Sequence, residues 1–409
     1  MEFGFTAEQE KLRKEIHDFF RDELPEDYNP SMAGLSRADK ESEDFADEFH
    51  KKAVARGYPS AGWPKKYGGL GFTAIEQGII GEEMAYWGVM WTGGMGYGLV
   101  APVILSVGTD EQKQRFVPPI ARGEVTCFEC FTEPDAGSDE ANVKLRAVPD
   151  GDYFVLNGQK TFITAWHKPD WLYTLARTAD TIPKHRGLSL FMVPADAPGL
   201  TYRALPCMGG VQTVEIFYDN VRVHKDNLIG ELNRGFYAAM ATFEFERAGG
   251  GQEPRKGMQR LVQFCREEKR NGKPLIQDSE MRDILAQRAM EMEVLWLSHW
   301  YGLWRRTQRE KLGPQPYDNT ALLGKKFRPL DGNALMDMFG LDGQLKDNSD
   351  YVKYEGSTAR SWELAHLLHP VGSLEILQNV IAYRGLGLPR IPRQFNTMIS
   401  EALAKESSQ

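Results

Sequence analysis

Val125-Thr-Cys-Phe-Glu-Cys-Phe-Thr-Glu-Pro-Asp-Ala-Gly-Ser-Asp-Glu140 is the stretch at which the chain changes character. Its first half is a short run of β-branched and aromatic residues, the pattern of a strand. Its second half gathers Thr132, Gly137 and Ser138 into a turn. Gly137 permits close backbone approach there, and Ser138 with nearby N–H groups can form an anion-binding nest. Downstream, GDYFVLNG, KTFIT, WLYTLART, LSLFMVP and TVEIFYDNVRV continue the short runs, separated by Gly, Asp, Asn and Pro. The pattern predicts a β-barrel or sandwich of roughly 100 residues.

On either side the apolar spacing is helical. Phe5, Leu12, Ile16, Phe19 and Phe20 fall near one face of an N-terminal helix, with capping-box spacing at Thr6 and Gln9. After the strands, helical patterns cover 236–248, 254–270, 278–310, 318–340 and 361–384. The predicted organisation is an α+β multidomain chain: an N-terminal helical domain over 1–125, a middle β-barrel domain over 126–232, and a C-terminal four-helix bundle over 233–409. The length of 409 residues suits two or three domains.

Composition narrows the function. The chain is 42% hydrophobic and carries a net charge of −8, which disfavours a disordered chain and nucleic-acid binding. Its apolar runs are too short to span a bilayer. The N-terminus has neither an apolar signal core nor an Arg-rich presequence, so the expected location is the cytoplasm. Four cysteines are too few for a disulfide framework in a chain of this size. Cys127 and Cys130 match C-x-x-C, but strand geometry points them to opposite faces, so a metal or redox role is not expected. No G-x-G-x-x-G, Walker loop or H-E-x-x-H is placed where it could act.

Two further stretches suggest chemistry. Lys160-Thr161-Phe162-Ile163-Thr164 combines an aromatic with hydroxyls at a strand end, which suits a flat heteroaromatic ring. Glu246 lies on a helix made largely apolar by Phe236, Met240 and Phe243. A carboxylate entering an apolar pocket gains proton affinity and becomes a useful base.

Several segments, in order, resemble the acyl-CoA dehydrogenase family of flavoproteins. Trp63-Pro-Lys-Lys-Tyr-Gly-Gly-Leu-Gly71 is similar to its W-P-x-x-Y-G-G-x-G turn, and Gly108-Thr-Asp-Glu-Gln-Lys-Gln-Arg-Phe116 to its G-T-x-x-Q-K segment. Thr132–Asp139 resembles T-E-P-x-A-G-S-D, and Asn157–Thr164 resembles N-G-x-K-x-[WF]-I-T. Phe217–Val223 and Gly372–Pro389 resemble two later family segments. The resemblance implies FAD, acyl-CoA as substrate, α,β-dehydrogenation with hydride transfer to the flavin, and electron-transferring flavoprotein as acceptor. It also implies a tetramer. Phe131, Thr132, Phe162 and Thr164 would contact the isoalloxazine. Ser138 would contact flavin or CoA phosphate. Ser373 and Glu375 would lie on the ribose and adenine side.

The chain departs from the family at the usual base position, which is Val371 here. Glu355 is a decoy, because Gly372 and not Gly356 has the spacing to Pro389 of the closing helix. Other members carry the base on a bundle helix, immediately before an Arg. Glu246 followed by Arg247 has that context, so Glu246 is the expected base and Arg247 an expected substrate contact. Glu268 stands where the family often has an Arg for the FAD pyrophosphate, with Arg266, Lys269 and Arg270 close by. Such departures resemble the bacterial steroid side-chain enzymes, which work as α2β2 heterotetramers. A homotetramer, a partner subunit of an α2β2 heterotetramer that completes its mate's flavin site, and a flavin oxidase or oxygenase remain as alternatives. The retained Glu246 disfavours the last.

Overall fold

The computed structural model describes residues 4–25, 40–164, 169–181, 183–248, 255–308, 311, 319–346, 349, 351, 354, 357–367 and 372–390. The side chains of residues 40–43, 247, 248, 319 and 357 lie outside that description.

The first region is helical. Helix α1 (Ala7–Glu23) starts on the expected capping box, with Gln9 N donating to Thr6 Oγ1 at 3.2 Å and Thr6 N to Gln9 Oε1 at 3.0 Å. Its buried face is Ile16, Phe19 and Phe20, the spacing that the sequence predicts. Helices α2 (Lys40–Ala55), α3 (Ala74–Trp87), α4 (Ala101–Val107) and α5 (Asp110–Ala121) follow. Thr73 and Thr109 cap α3 and α5 with the same reciprocal arrangement.

Strands occupy the middle: β1 (Cys127–Cys130), β2 (Arg146–Asp150), β3 (Tyr153–Thr164), β4 (Trp171–Arg177), β5 (Leu188–Pro194), β6 (Leu200–Pro206), β7 (Gln212–His224) and β8 (Leu228–Ile229). They form one sheet in the order β6-β7-β3-β2-β4-β5-β8, with β1 added in parallel to β4. The barrel expected from the strand pattern is not closed by these pairings. The path ends at β6 on one side and at the two-residue β8 on the other. Alternation along β1 works as expected: Cys127 enters one core, while Phe128 and Cys130 enter the other. All four cysteines are free thiols.

The last region is helical again: α6 (Gly235–Ala248), α7 (Arg255–Glu267), α8 (Ser279–Thr307), α9 (Asn319–Phe339), α10 (Ser357–Ala365) and α11 (Leu374–Val380). Two expected segments are shorter than the periodicity suggests. α7 stops before a small hairpin, Lys269–Arg270 with Lys273–Pro274, whose turn places Asn271 and Gly272 at positive φ. The segment expected over 361–384 is divided, with Gly372 at φ 83° just ahead of α11 and Ser373 as its N-cap. An apolar repeat does not register such a break, because it is set by backbone conformation.

The N-terminal helices dock on the C-terminal ones. Tyr86 Oη donates to Gln259 Oε1 at 3.2 Å, and Trp296 Nε1 to Glu82 Oε1 at 3.0 Å. Gly78 sits at the crossing of α3 and α8, where a Cβ would stand 2.2 Å from Leu303 Cδ1. Among the described residues no helix is long and apolar enough to cross a membrane.

Candidate functional site

The turn after β1 is built around a buried ion pair. Glu133 and Ala136 exchange backbone hydrogen bonds of 2.9 and 3.1 Å, which closes the turn. The Glu133 carboxylate accepts from Lys144 N at 2.6 Å, from Leu145 N at 2.9 Å and from Lys160 Nζ at 2.9 Å. Lys160 is fully buried and also donates to the Phe131 carbonyl at 2.7 Å. Burial lowers the proton affinity of this ammonium, and the Glu133 carboxylate opposes that effect. Thr161 N donates to the Thr132 carbonyl at 3.0 Å. The first motif, Thr132–Asp139, is thus bolted to the second, Asn157–Thr164.

That bolt presents an aromatic ring to solvent. The pairing of β3 with β7 shifts between Lys160 and Ile163, a bulge that leaves Phe162 at φ 55° and 59% exposed. A positive φ is rare for a bulky residue, and bulges re-aim side chains beside functional sites. Thr132 and Thr164 are half-buried. Among the described residues neither of their hydroxyls makes a hydrogen bond. An open aromatic between two available hydroxyls fits the edge and face of a flat, polar ring system such as a flavin. Phe131 is buried, and its carbonyl is occupied by Lys160. Ser138 is exposed on the turn, so it is open to a ligand.

Helix α6 brings Glu246 to the same neighbourhood. The Phe131 ring meets Phe243 edge-on at 6.0 Å and lies 5.4 Å from the Tyr173 ring. Tyr173 Oη lies 3.2 Å from Thr242 Oγ1. Glu246 follows Thr242 by four residues and so shares its helix face. Glu246 is half-buried and within electrostatic range of Glu129 on β1. The backbone of Arg247 continues α6, but its side chain lies outside the described residues, as do Val371 and Glu355 entirely.

Ser373 and Glu375 are not brought to this cluster. Ser373 accepts from Ile376 N at 3.4 Å as the cap of α11, and Glu375 is exposed. Helix α11 packs on α9. Near Glu268, Arg270 donates to the Met338 carbonyl, while Arg266 and Lys269 remain exposed.

Sequence reasoning missed four groups here. Lys160 and Glu133 belong to the quoted motifs, but their partnership spans 27 residues and has no local signal. Glu129 was visible only as a charged residue inside an apolar strand. Glu140 is buried with an unpartnered Oε1, and burial pushes its carboxyl up to about 7. A cavity of 630 Å³ opens nearby, lined by Lys144, Arg146, Arg177 and Lys184 together with Asn142, Asp180 and Thr181. Its cations are partly neutralised, since Arg146 pairs with Asp180 at 2.8 Å and Lys144 with Asp135 at 2.7 Å.

Comparison with known proteins accounts for the motifs. The acyl-CoA dehydrogenase N-terminal domain matches residues 6–124, the middle domain 128–221 and the C-terminal domain 233–382. Acyl-CoA dehydrogenase FadE26 of Mycobacterium tuberculosis is 30% identical over 406 residues, covering 96% of this chain and 100% of the relative. A crystal structure of the ChsE4–ChsE5 complex from Mycobacterium tuberculosis superposes with a TM-score of 0.83 at 30% identity, over 96% of this chain and 100% of that one. A structure described as the Tcur3481–Tcur3483 steroid ACAD superposes with a TM-score of 0.83 at 27% identity, over the same shares.

Proposed function

The chain belongs to the acyl-CoA dehydrogenase family, and from that premise we propose that it removes the α-proton and β-hydride of an acyl-CoA thioester to give the 2-enoyl-CoA. The observation that carries the reading is Glu246, a half-buried carboxylate on α6 within electrostatic range of β1, the strand that leads into the Thr132 turn. Flavin, as FAD, supplies the acceptor for the hydride when bound. Every other task falls to this chain's side chains. Phe162 would lie against the ring system. Thr132 and Thr164 would offer hydroxyls to its polar edge. The Glu133–Lys160 pair fixes the two loops that carry them. Glu246 takes the α-proton, with Phe243 three residues before it on α6. Arg247 and Ser138 are assigned to substrate, and the basic cavity at Lys144 and Lys184 suits the phosphates of CoA.

The acyl group we favour is a steroid side chain, on the strength of the similar heteromeric steroid enzyme. The test is anaerobic bleaching of the bound flavin by a panel of acyl-CoA thioesters. Bleaching by steroid side-chain thioesters and not by short straight-chain ones is the expected result. No bleaching by any thioester, with stoichiometric flavin bound, removes the dehydrogenase reading. Reoxidation by electron-transferring flavoprotein, with slow reaction toward oxygen, separates a dehydrogenase from an oxidase.

Assembly is the second part of the proposal. Met290, Val294, Leu297, Tyr301 and Trp304 form an apolar stripe on α8, each 36–58% exposed. Their alternating spacing of three and four residues is that of a helix seam, and a patch of this kind marks an interface. We assign it to a second chain of the same fold, in a homotetramer or an α2β2 heterotetramer. Leu297→Glu together with Tyr301→Glu is expected to lower the assembled mass at least two-fold in light scattering. An unchanged mass removes the stripe from the interface. The heteromeric arrangement is favoured by Glu268 in place of a pyrophosphate arginine and by Val371 in place of the usual base. In that case flavin per polypeptide is low for the chain alone and rises on co-expression with its mate.

A further inference from the structure

Arg177 ends β4 as a buried cation in the lining of the 630 Å³ cavity. Its Nε donates to the Val143 carbonyl at 2.8 Å and its Nη2 to that of Ala141 at 2.7 Å. Its Nη1 donates to the carbonyls of Lys184 at 3.1 Å and Ala179 at 3.4 Å. Four of the five N–H groups of the guanidinium are thus engaged by carbonyl oxygens, and one on Nη2 is left over. Those carbonyls belong to two walls of the cavity, the segment after Asp139 and the loop that runs from Ala179 into the turn Lys184–Gly187. Among the described residues Arg177 makes no ion pair, and neither does Lys184, whose Nζ donates to Asn142 Oδ1 at 2.9 Å. The other cations of the lining are matched, Lys144 by Asp135 and Arg146 by Asp180. Arg146 and Arg177 are register partners on β2 and β4, so two like charges lie on adjacent strands. Burial lowers the proton affinity of the Arg177 guanidinium, opposed by Asp180 and Glu133 and reinforced by Arg146. Asp180 and Glu133 are themselves held by Arg146 and Lys160.

We propose that this cavity takes the 3′-phosphate of the CoA thioester, with Arg177 and Lys184 as the residues that recognise it. The inference rests on the reading of the chain as an enzyme of acyl-CoA. A phosphomonoester carries about two negative charges at neutral pH, which matches the two cations of the lining that have no carboxylate. A phosphate of the pyrophosphate bridge carries a single charge and would leave one of those cations unbalanced, which is costly for a buried one. Arg177 supplies a fixed fork held by the cavity walls, and the exposed Lys184 supplies a mobile point charge at the rim. The position agrees with the rest of the proposed site. The ring of His185, next to Lys184, lies 5.2 Å from that of Phe236 and 5.9 Å from that of Tyr237, near the start of α6. Glu246 lies near the other end of that helix, roughly 15 Å away at a rise of about 1.5 Å per residue. The extended pantetheine arm of CoA bridges a separation of that size.

The experiment is a calorimetric titration of the protein as isolated with two probes, CoA and dephospho-CoA, which differ only in the 3′-phosphate. Wild type is expected to bind CoA roughly ten-fold or more tightly than dephospho-CoA, the effect of charge-assisted hydrogen bonds to a dianion. Lys184→Gln and Arg177→Gln are each expected to bring the two affinities to within about three-fold of one another. Equal affinity for the two probes in wild type, or an undiminished preference in Lys184→Gln, overturns the assignment. If Arg177→Gln does not fold, wild type and Lys184→Gln still decide, because Lys184 is exposed and its side chain makes a single hydrogen bond among the described residues. Inorganic phosphate that displaces CoA at equal concentration would make the cavity a site for the free anion and overturns its assignment to the thioester. A preference for CoA without flavin bleaching by any thioester would end the dehydrogenase reading and leave the cavity in place. Bleaching without that preference would end the cavity assignment alone.

Discussion

Glu246→Gln slows flavin bleaching by the acyl-CoA substrate by roughly 10²–10⁴-fold, the usual contribution of a positioned general base. The amide keeps the size and much of the hydrogen-bonding capacity of the carboxylate but cannot accept the α-proton. Flavin content and unfolding midpoint, read alongside, separate a catalytic from a structural effect, with α6 held to the sheet through Phe243 and Thr242. Stopped-flow bleaching of wild type and variant at one pH, with matched flavin absorbance, reads the effect. A variant as fast as wild type would move the base elsewhere. A variant that binds no flavin would show that the residue acts in cofactor retention.

Lys160→Met is expected to cost about 3–5 kcal/mol of stability, the range for breaking a buried ion pair by removing one partner. Lys160 is fully buried, and its ammonium bridges Glu133 and the Phe131 carbonyl. Methionine fills much of the volume but leaves the Glu133 carboxylate without its cation and the Phe131 carbonyl without a donor. Denaturant midpoints measure the loss, and flavin content should fall with it because the turn and the bulge share this anchor. The double variant Lys160→Met with Glu133→Gln should recover part of the loss, since the unpaired charge is gone. Full recovery is not expected, because Glu133 also accepts from the N–H groups of Lys144 and Leu145. A single variant with wild-type stability would mean that the pair is dispensable.

Much of the fold was legible in the chain. The helical face of Ile16, Phe19 and Phe20, the caps at Thr6 and the alternation of Cys127 and Cys130 came from spacing alone, and the structure agrees with each. The helical, β and helical order was also legible, and the family motifs agreed with it. The end of the sheet path at β6 and β8 was not, because strand patterns do not say whether the last strand meets the first. Nor was the break before Gly372, which depends on one backbone angle.

The site was legible as a set of residues and not as an arrangement. Thr132, Ser138, Phe162, Thr164 and Glu246 could be singled out because motif and residue type are local properties. That Lys160 closes on Glu133 and that a bulge turns Phe162 outward followed only from strand pairing and register. The physical reason is the range of the forces involved. Periods of two and 3.6 residues are written into neighbouring side chains, and the element types, the family motifs and the candidate residues come with them. Partnerships between buried charges arise when distant segments leave water together and each charge must find or lack a counterpart, so they emerge only as the chain folds.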